Sequence, residues 1–339
     1  MPGLLLDTLR GLKGERTPMW LMRQAGRYLP KYRELRAQKG GFLELVYDSE
    51  AAAEITIQPL RRFGFDGAIL FSDILIVPHA MGQGLEFLAG EGPKLSPPLL
   101  EAKLEDFTAE PARFEAIYET VRLCRAQLDD GVTMLGFAGS PWTVATYMVA
   151  GEGSRDQHAT RELAYADPAR FQAIIDAIIE VSVTYLRGQI DAGAEAVQLF
   201  DSWAGSLAPD QFDRWVIAPN AAITAALKQS HPDTPVIGFP KGAGTKLAAY
   251  ARETGVDAVG LDETIDPEWA HRELPQGMPV QGNLDPLLLM AGGAPLVERT
   301  RFILRTFAER PHVFNLGHGI GQFTPIEHVE QLVATVRSA

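Results

Sequence analysis

The 339-residue chain carries 31 Lys+Arg against 43 Asp+Glu, a net charge of −12, and has one cysteine, Cys124. With 46% apolar and 22% charged residues it reads as an ordinary water-soluble globular protein with a large core, lacking the basic surface that general nucleic-acid binding needs and the cysteines for a disulfide framework or a cysteine-based zinc cluster. No apolar run approaches the roughly 18–20 residues of a membrane span, the opening MPGLLLDTLRGLKG is too briefly apolar for a signal peptide, and a lone thiol fits a reducing cytosol, so a cytoplasmic protein without membrane insertion is expected.

Eight short apolar runs recur along the chain: PMWLM (18–22), GAILF (67–71), VTMLGF (132–137), EAVQLF (195–200), PVIGF (235–239), DAVGL (257–261), PVQGNL (279–284) and HVFNLG (312–317). Most are too short for helices and several are rich in Val, Ile and Phe, which suits buried strands. Helical patterns lie between them. A helix is expected from about Pro30, another opens at Ser140 (N-cap) and Pro141, and a long one runs from Pro168 to Asp191 between an Asp167 N-cap and Gly193. The last opens at TPIE, Thr324 to Glu327, in the form of a capping box. Eight β-like runs alternating with helices point to an α/β protein, a single (β/α)8 TIM barrel over residues 1–339, with a doubly wound open sheet as the rival. After the second run, residues 72–99 hold four glycines and four prolines, a long loop of the kind that is more often functional than idle.

In a barrel, chemistry belongs to the loops after the strands' C-terminal ends. Those ends read RQAGRY, SD, AGSPWTVATY, DSWAG, PKGAG and GHG, so polar and glycine residues gather on one side. In MRQAGRYLPKYRELR, Arg23, Arg27, Lys31, Arg33 and Arg36 concentrate positive charge in an acidic protein. One reading is a solvated helix face; the other is a site for a polyanionic substrate, with Arg23, Gln24 and Arg27 pointing into the mouth and Arg33 and Arg36 on the helix behind. Asp73, between apolar stretches, is either a turn cap or a carboxylate at the cleft floor. Tyr147 shares a helix face with Thr143 and is either core or site. Ser202 and His318, each just past a strand, form only a poor hydrolytic triad with Asp73, because Phe200 stands where G-x-S-x-G needs its first glycine. PKGAGTK is not a P-loop, GHGIGQ lacks the third glycine of a dinucleotide fingerprint, and the histidines show no metal-ligand spacing.

Taken together, MRQAGRYLP, QPLRRF, FSDIL, GSPWT with TYMV, QLFDSWAG, GFPKG, QGNLDP and FNLGHGI resemble the uroporphyrinogen decarboxylase family, in the family's order and over nearly the whole chain. The resemblance implies a single-domain barrel acting as a homodimer. It implies removal of the four acetate carboxyl groups of uroporphyrinogen III to give coproporphyrinogen III, in haem biosynthesis, without metal or organic cofactor. It places substrate contacts on Arg23, Gln24, Ala25, Gly26, Arg27, Asp73, Tyr147, Ser202 and His318, with Asp73, Arg23 and Tyr147 catalytic. His79, in the long loop, departs from the Asp or Gln that relatives often carry there. Two rivals stand beside this reading. A corrinoid-linked methyltransferase of the same superfamily would bind zinc through cysteine, yet Cys124 lies in a helical stretch away from the strand ends. A non-catalytic tetrapyrrole carrier is separated only by turnover.

Overall fold

Each of the last seven apolar runs contributes a strand to one parallel sheet. In a computed structural model describing residues 3–88 and 92–339, these are β1 (Gly67–Ile69), β4 (Thr133–Gly139), β5 (Ala196–Asp201), β6 (Val236–Pro240), β7 (Ala258–Gly260), β8 (Val280–Gln281) and β9 (His312–Val313). They pair in the order β1-β4-β5-β6-β7-β8-β9, all parallel, and every residue of β4, β6 and β7 is buried. Such strands read as continuous apolar runs because helices cover the outer face and side chains fill the inner one. The architecture is the expected α/β barrel.

The first run differs from expectation. PMWLM sits between β9 and β1, but it joins each neighbour through one or two residues instead of a ladder. Met19 bridges Phe314, with the Phe314 N–H donating to Pro18 at 2.8 Å, and on the other side the Asp66 N–H donates to the Met19 carbonyl at 2.9 Å. The reason is local competition for donors. The N–H of Leu21 is taken by Gln24 Oε1 at 3.1 Å and that of Met22 by Asn315 Oδ1 at 2.9 Å. Side-chain amides thus replace the ladder partners that a longer strand would use. A buried amide chain crosses the barrel interior, from Trp20 Nε1 to Gln281 Oε1 (2.9 Å) and from Gln281 Nε2 to Gln198 Oε1 (3.0 Å).

The helices follow their signals. Pro168–Asp191 has the expected bounds, with the Asp167 carboxylate accepting the Arg170 N–H at 3.0 Å. Pro30–Lys39 and Pro141–Ala150 also begin at their prolines. Ser140 is the N-cap by position, but its hydroxyl donates to Asn220 Oδ1 instead of capping. The expected capping box at TPIE does not form: Pro325 is the N-cap of Ile326–Arg337, which puts Glu327 one position too early, and Thr324 Oγ1 is buried without a partner. One apolar cluster runs from Leu5 to Val336.

The stretch 72–99 is not a plain loop. It holds a short helix, Ile76–Ala80, and an antiparallel hairpin of β2 (Gly84–Leu88) and β3 (Gly92–Ser96); residues 89–91 lie outside the described ones. The hairpin is tied to the end of helix Pro141–Ala150, with Leu95 N–H donating to Gly151 (2.7 Å) and Leu99 N–H to Met148 (2.8 Å). Accordingly His79 sits in a helix, its ring 2.9 Å from the Tyr47 hydroxyl. Among the described residues no helix is long and apolar enough to cross a membrane.

Candidate active site

The C-terminal ends of the strands bring Arg23, Asp73, Tyr147 and His318 into one electrostatic group. Two glycines permit the convergence. A Cβ on Gly139, at the end of β4, would stand 2.6 Å from Val144 and 2.9 Å from Ile74, so the bare backbone lets the Asp73 turn and the Tyr147 helix close on the same strand end. Gly319, just past His318, lies directly under the Arg23 side chain. Arg23 itself has φ +61°, a left-handed conformation that costs a non-glycine residue about 1 kcal/mol or more and turns the chain sharply after Met22.

Asp73 is half-buried, and the turn-cap reading of it is borne out. Its Oδ1 accepts the Leu75 N–H at 2.8 Å, a turn cap, and its carboxylate lies within electrostatic reach of Arg23 and Tyr147. Burial pushes its pKa up to about 6, opposed by the Leu75 N–H and the Arg23 charge. The Tyr147 phenol is also raised, first by burial and further by Asp73, while Trp203 and Arg23 pull it down; the hydroxyl therefore keeps its proton. His318 stacks on Phe239, ring centroids 6.5 Å apart and planes 22° from parallel, and is pushed down to about 4 by burial and by the charges of Arg23 and Lys241. It is a neutral imidazole at physiological pH.

The remaining expected residues divide. Ser202 is half-buried at the exit of β5, but Ser202 and His318 share no hydrogen bond, so no Ser-His-Asp relay exists among the described residues. Ala25 and Gly26 form the half-buried turn behind Arg23, where Gly26 C=O accepts the Leu29 N–H. Arg27 is exposed, its charge felt by Tyr32, and nothing among the described residues brings it into the group of Arg23, Asp73, Tyr147 and His318. Gln24 corrects the sequence reading: its side chain is fully buried, with Oε1 on the Leu21 N–H and Nε2 donating to Gly67 C=O at 2.9 Å. It pins the loop to β1 and does not point into the mouth.

Sequence reasoning passed over three further groups. Asp201, the last residue of β5, is wholly buried and its Oδ1 accepts the Thr143 hydroxyl at 2.5 Å, while Thr143 Oγ1 in turn accepts the Trp203 N–H at 3.0 Å. Burial pushes Asp201 up to about 7, against the Thr143 and Asn220 hydrogen bonds. Lys241 follows β6 and pairs with Glu263, and Asp262 accepts the Gly242 and Thr264 N–H groups. The only signal for these was their place just past a strand. Among the described residues no group of three or more His, Cys, Asp or Glu is arranged to hold a metal ion, and Cys124 is buried in helix Glu115–Arg125, its thiol raised by burial to about 12. A separate recess of about 370 Å³ opens at the opposite end of the barrel, against Arg16, Pro18, Phe307 and His312, and holds none of the expected site residues.

Comparison with known proteins places the chain firmly. The family model described as uroporphyrinogen decarboxylase matches residues 3–339. A protein from Erythrobacter litoralis named uroporphyrinogen decarboxylase is 74% identical over 338 residues, covering 100% of this chain and 99% of that protein. One of the same name from Novosphingobium aromaticivorans is 71% identical, covering 99% of each. Among solved structures, a methyltransferase from Methanosarcina mazei superposes with a TM-score of 0.80 at 19% identity, over 100% of this chain and 99% of that one, which is a likeness of fold.

Proposed function

The chain belongs to the uroporphyrinogen decarboxylase family, and on that premise we propose how its cleft acts as a carboxy-lyase on uroporphyrinogen in haem biosynthesis. Each of the four acetate arms of uroporphyrinogen III loses CO2 and gains a proton, leaving the methyl groups of coproporphyrinogen III. Departure of CO2 leaves an electron pair on a carbon attached to a pyrrole, which is too electron-rich to accept it. Protonation of the ring at the adjacent α-carbon makes a cationic electron sink; CO2 leaves, the exocyclic methylene is protonated to a methyl, and loss of the α-carbon proton restores the aromatic pyrrole, for a net gain of one proton. The protein must hold the macrocycle in a dry cleft and offset a transient positive charge.

Asp73 carries this reading: a half-buried carboxylate within electrostatic reach of Arg23 and Tyr147, on a turn that leaves its second oxygen free of protein donors. Converging pyrrole N–H groups would satisfy it and draw its pKa down from about 6, so that it is ionised when the ring becomes cationic. Arg23 holds carboxylates beside Asp73, and Arg27 holds them at the rim. Tyr147 donates its retained proton as a hydrogen bond. Ser202, neutral His318 and the Ala25–Gly26 turn line the remaining wall, and Gln24 supports them from behind. No metal or organic cofactor enters this scheme.

Two coarser features belong to the same reading. The enzyme works in the cytoplasm as a homodimer, for which Leu287 and Phe323, 69% and 76% exposed in the segments after β8 and β9, supply apolar area at the cleft end. Sedimentation as a monomer at micromolar concentration would remove the dimer. The decisive experiment is anaerobic incubation of chelator-treated protein with uroporphyrinogen III, resolving products by carboxyl number. Stepwise seven- to four-carboxyl products are expected. Tight binding without turnover would make the protein a carrier, and turnover only on restoring metal would overturn the cofactor-free scheme.

A further inference from the structure

An octacarboxylate that spans the mouth of a barrel needs cations on more than one side of it. Arg23 and Arg27 both come from the loop after the first run. Around the ring of eight positions, β6 is the fifth, directly across from the first. The residue that leaves β6 is Lys241.

Its backbone is held at both ends. The Lys241 N–H donates to Asp201 C=O at 3.0 Å and its carbonyl accepts the Gly205 N–H at 3.0 Å, so the side chain projects from a fixed point. The ammonium lies 3.2 Å from Glu263 Oε1, with the two side chains 26% and 23% exposed. Its charge reaches His318, whose imidazole both it and Arg23 depress. Lys246, the next cation along, is engaged elsewhere: it donates to Leu207 C=O at 2.7 Å and sits over the Phe212 ring.

Glu263 is the unusual partner. Its second oxygen, Oε2, is buried and accepts no hydrogen bond, so the carboxylate is only half satisfied. It is also wedged against the loop that carries His318, since a Cβ on Gly317 would meet the Glu263 N at 2.2 Å. A half-satisfied carboxylate at a partly buried ion pair gains less from the pair than it lost in hydration, and its cation remains open to a better acceptor.

We infer that Lys241 is a substrate-carboxylate anchor across the cleft from Arg23 and Arg27, held by Glu263 in the empty enzyme and transferred to a side-chain carboxylate of the substrate on binding. The inference rests on the decarboxylase reading above and deepens it. Glu263 then acts as a counter-ion that lowers the affinity of the empty site for stray anions and sets how tightly an eighth carboxylate is gripped.

The test is steady-state kinetics on uroporphyrinogen III with wild type, Lys241→Met, Lys241→Arg and Glu263→Gln, each checked for an unchanged melting transition. Lys241→Met is expected to raise KM about tenfold with kcat within about twofold, a loss of one charge-assisted contact. Lys241→Arg should recover most of that loss. Glu263→Gln, by releasing the ammonium, should lower KM severalfold, the opposite direction. Unchanged KM in Lys241→Met overturns the anchor. So does a Glu263→Gln variant that raises KM and lowers Tm together with Lys241→Met, which would make the pair a structural strut. Absence of decarboxylation by wild type would instead remove the underlying reading, so the two failures are distinct.

Discussion

The Arg23 side chain lies flat across Gly319: a Cβ at that glycine would stand 2.3 Å from Arg23 Cδ and 2.8 Å from its Cγ. The arginine is thereby held within electrostatic reach of Asp73, Tyr147 and His318, the three groups whose protonation it biases. Gly319→Ala should displace the flexible arginine without unfolding the chain. A loss of about tenfold or more in kcat/KM, on the order of 1.4 kcal/mol, is expected, close to part of the effect of Arg23→Ala and with an unchanged circular-dichroism spectrum. Wild-type kinetics in Gly319→Ala would mean that the position of Arg23 is not critical.

Asp73→Asn keeps the shape and the Leu75 N–H contact but removes the charge. Loss of a preorganised electrostatic partner in a dry site costs about 3–4 kcal/mol, a factor of roughly 10²–10³ in rate. The variant should fold normally, bind substrate and turn over at that reduced rate. Near-normal kcat removes Asp73 from the mechanism.

The pH profile of kcat/KM reports the free enzyme. Asp73 is raised to about 6 there, so the ionised form is gained as pH rises and an acid limb should appear near pH 6. The kcat limb should lie lower, because pyrrole N–H donors favour the carboxylate once substrate is bound. His318, with a pKa of about 4, contributes nothing above pH 5. Coincident limbs for kcat and kcat/KM would exclude N–H donation to Asp73.

Arg27 is exposed and has no part in the shift of the Asp73 carboxyl, so as a substrate contact it would contribute uniform binding. Arg27→Ala should raise KM about three- to tenfold at constant kcat, and the difference should shrink as salt is added. An unaltered KM at low salt removes the contact.

Asp201 gives a stability test. Its folded pKa, about 7, lies above the unfolded value, so its contribution is fully present at pH below about 4 and is lost as pH rises through 7. Asn cannot ionise and does not share that loss. The Tm of wild type minus that of Asp201→Asn should therefore fall between pH 5 and 7.5, measured by differential scanning calorimetry. A gap that widens over this interval would show the carboxylate to be ionised and favourably paired.

What could be read in the chain without coordinates was whatever depends on near neighbours. The helix Pro168–Asp191 announces itself through an N-cap, a proline and a trailing glycine within one continuous segment. All seven strands of the parallel sheet announce themselves as continuous apolar runs, since both faces of a barrel strand are buried. The site residues Arg23, Asp73, Tyr147 and His318 were visible as polar residues at run ends, and matching motifs ordered them. Tertiary structure alone decided the rest, because each case turns on a partner distant in sequence. PMWLM falls short of a strand because Asn315, some 293 residues away, takes the Met22 N–H. Ser140 forgoes its cap because Asn220 offers a buried acceptor. Gln24 turns inward to the Gly67 carbonyl, and Lys241 faces Glu263 and His318 only because β6, β7 and β9 curl around the same mouth. Periodicity and capping are properties of a segment; the choice among competing hydrogen-bond partners belongs to the packed chain.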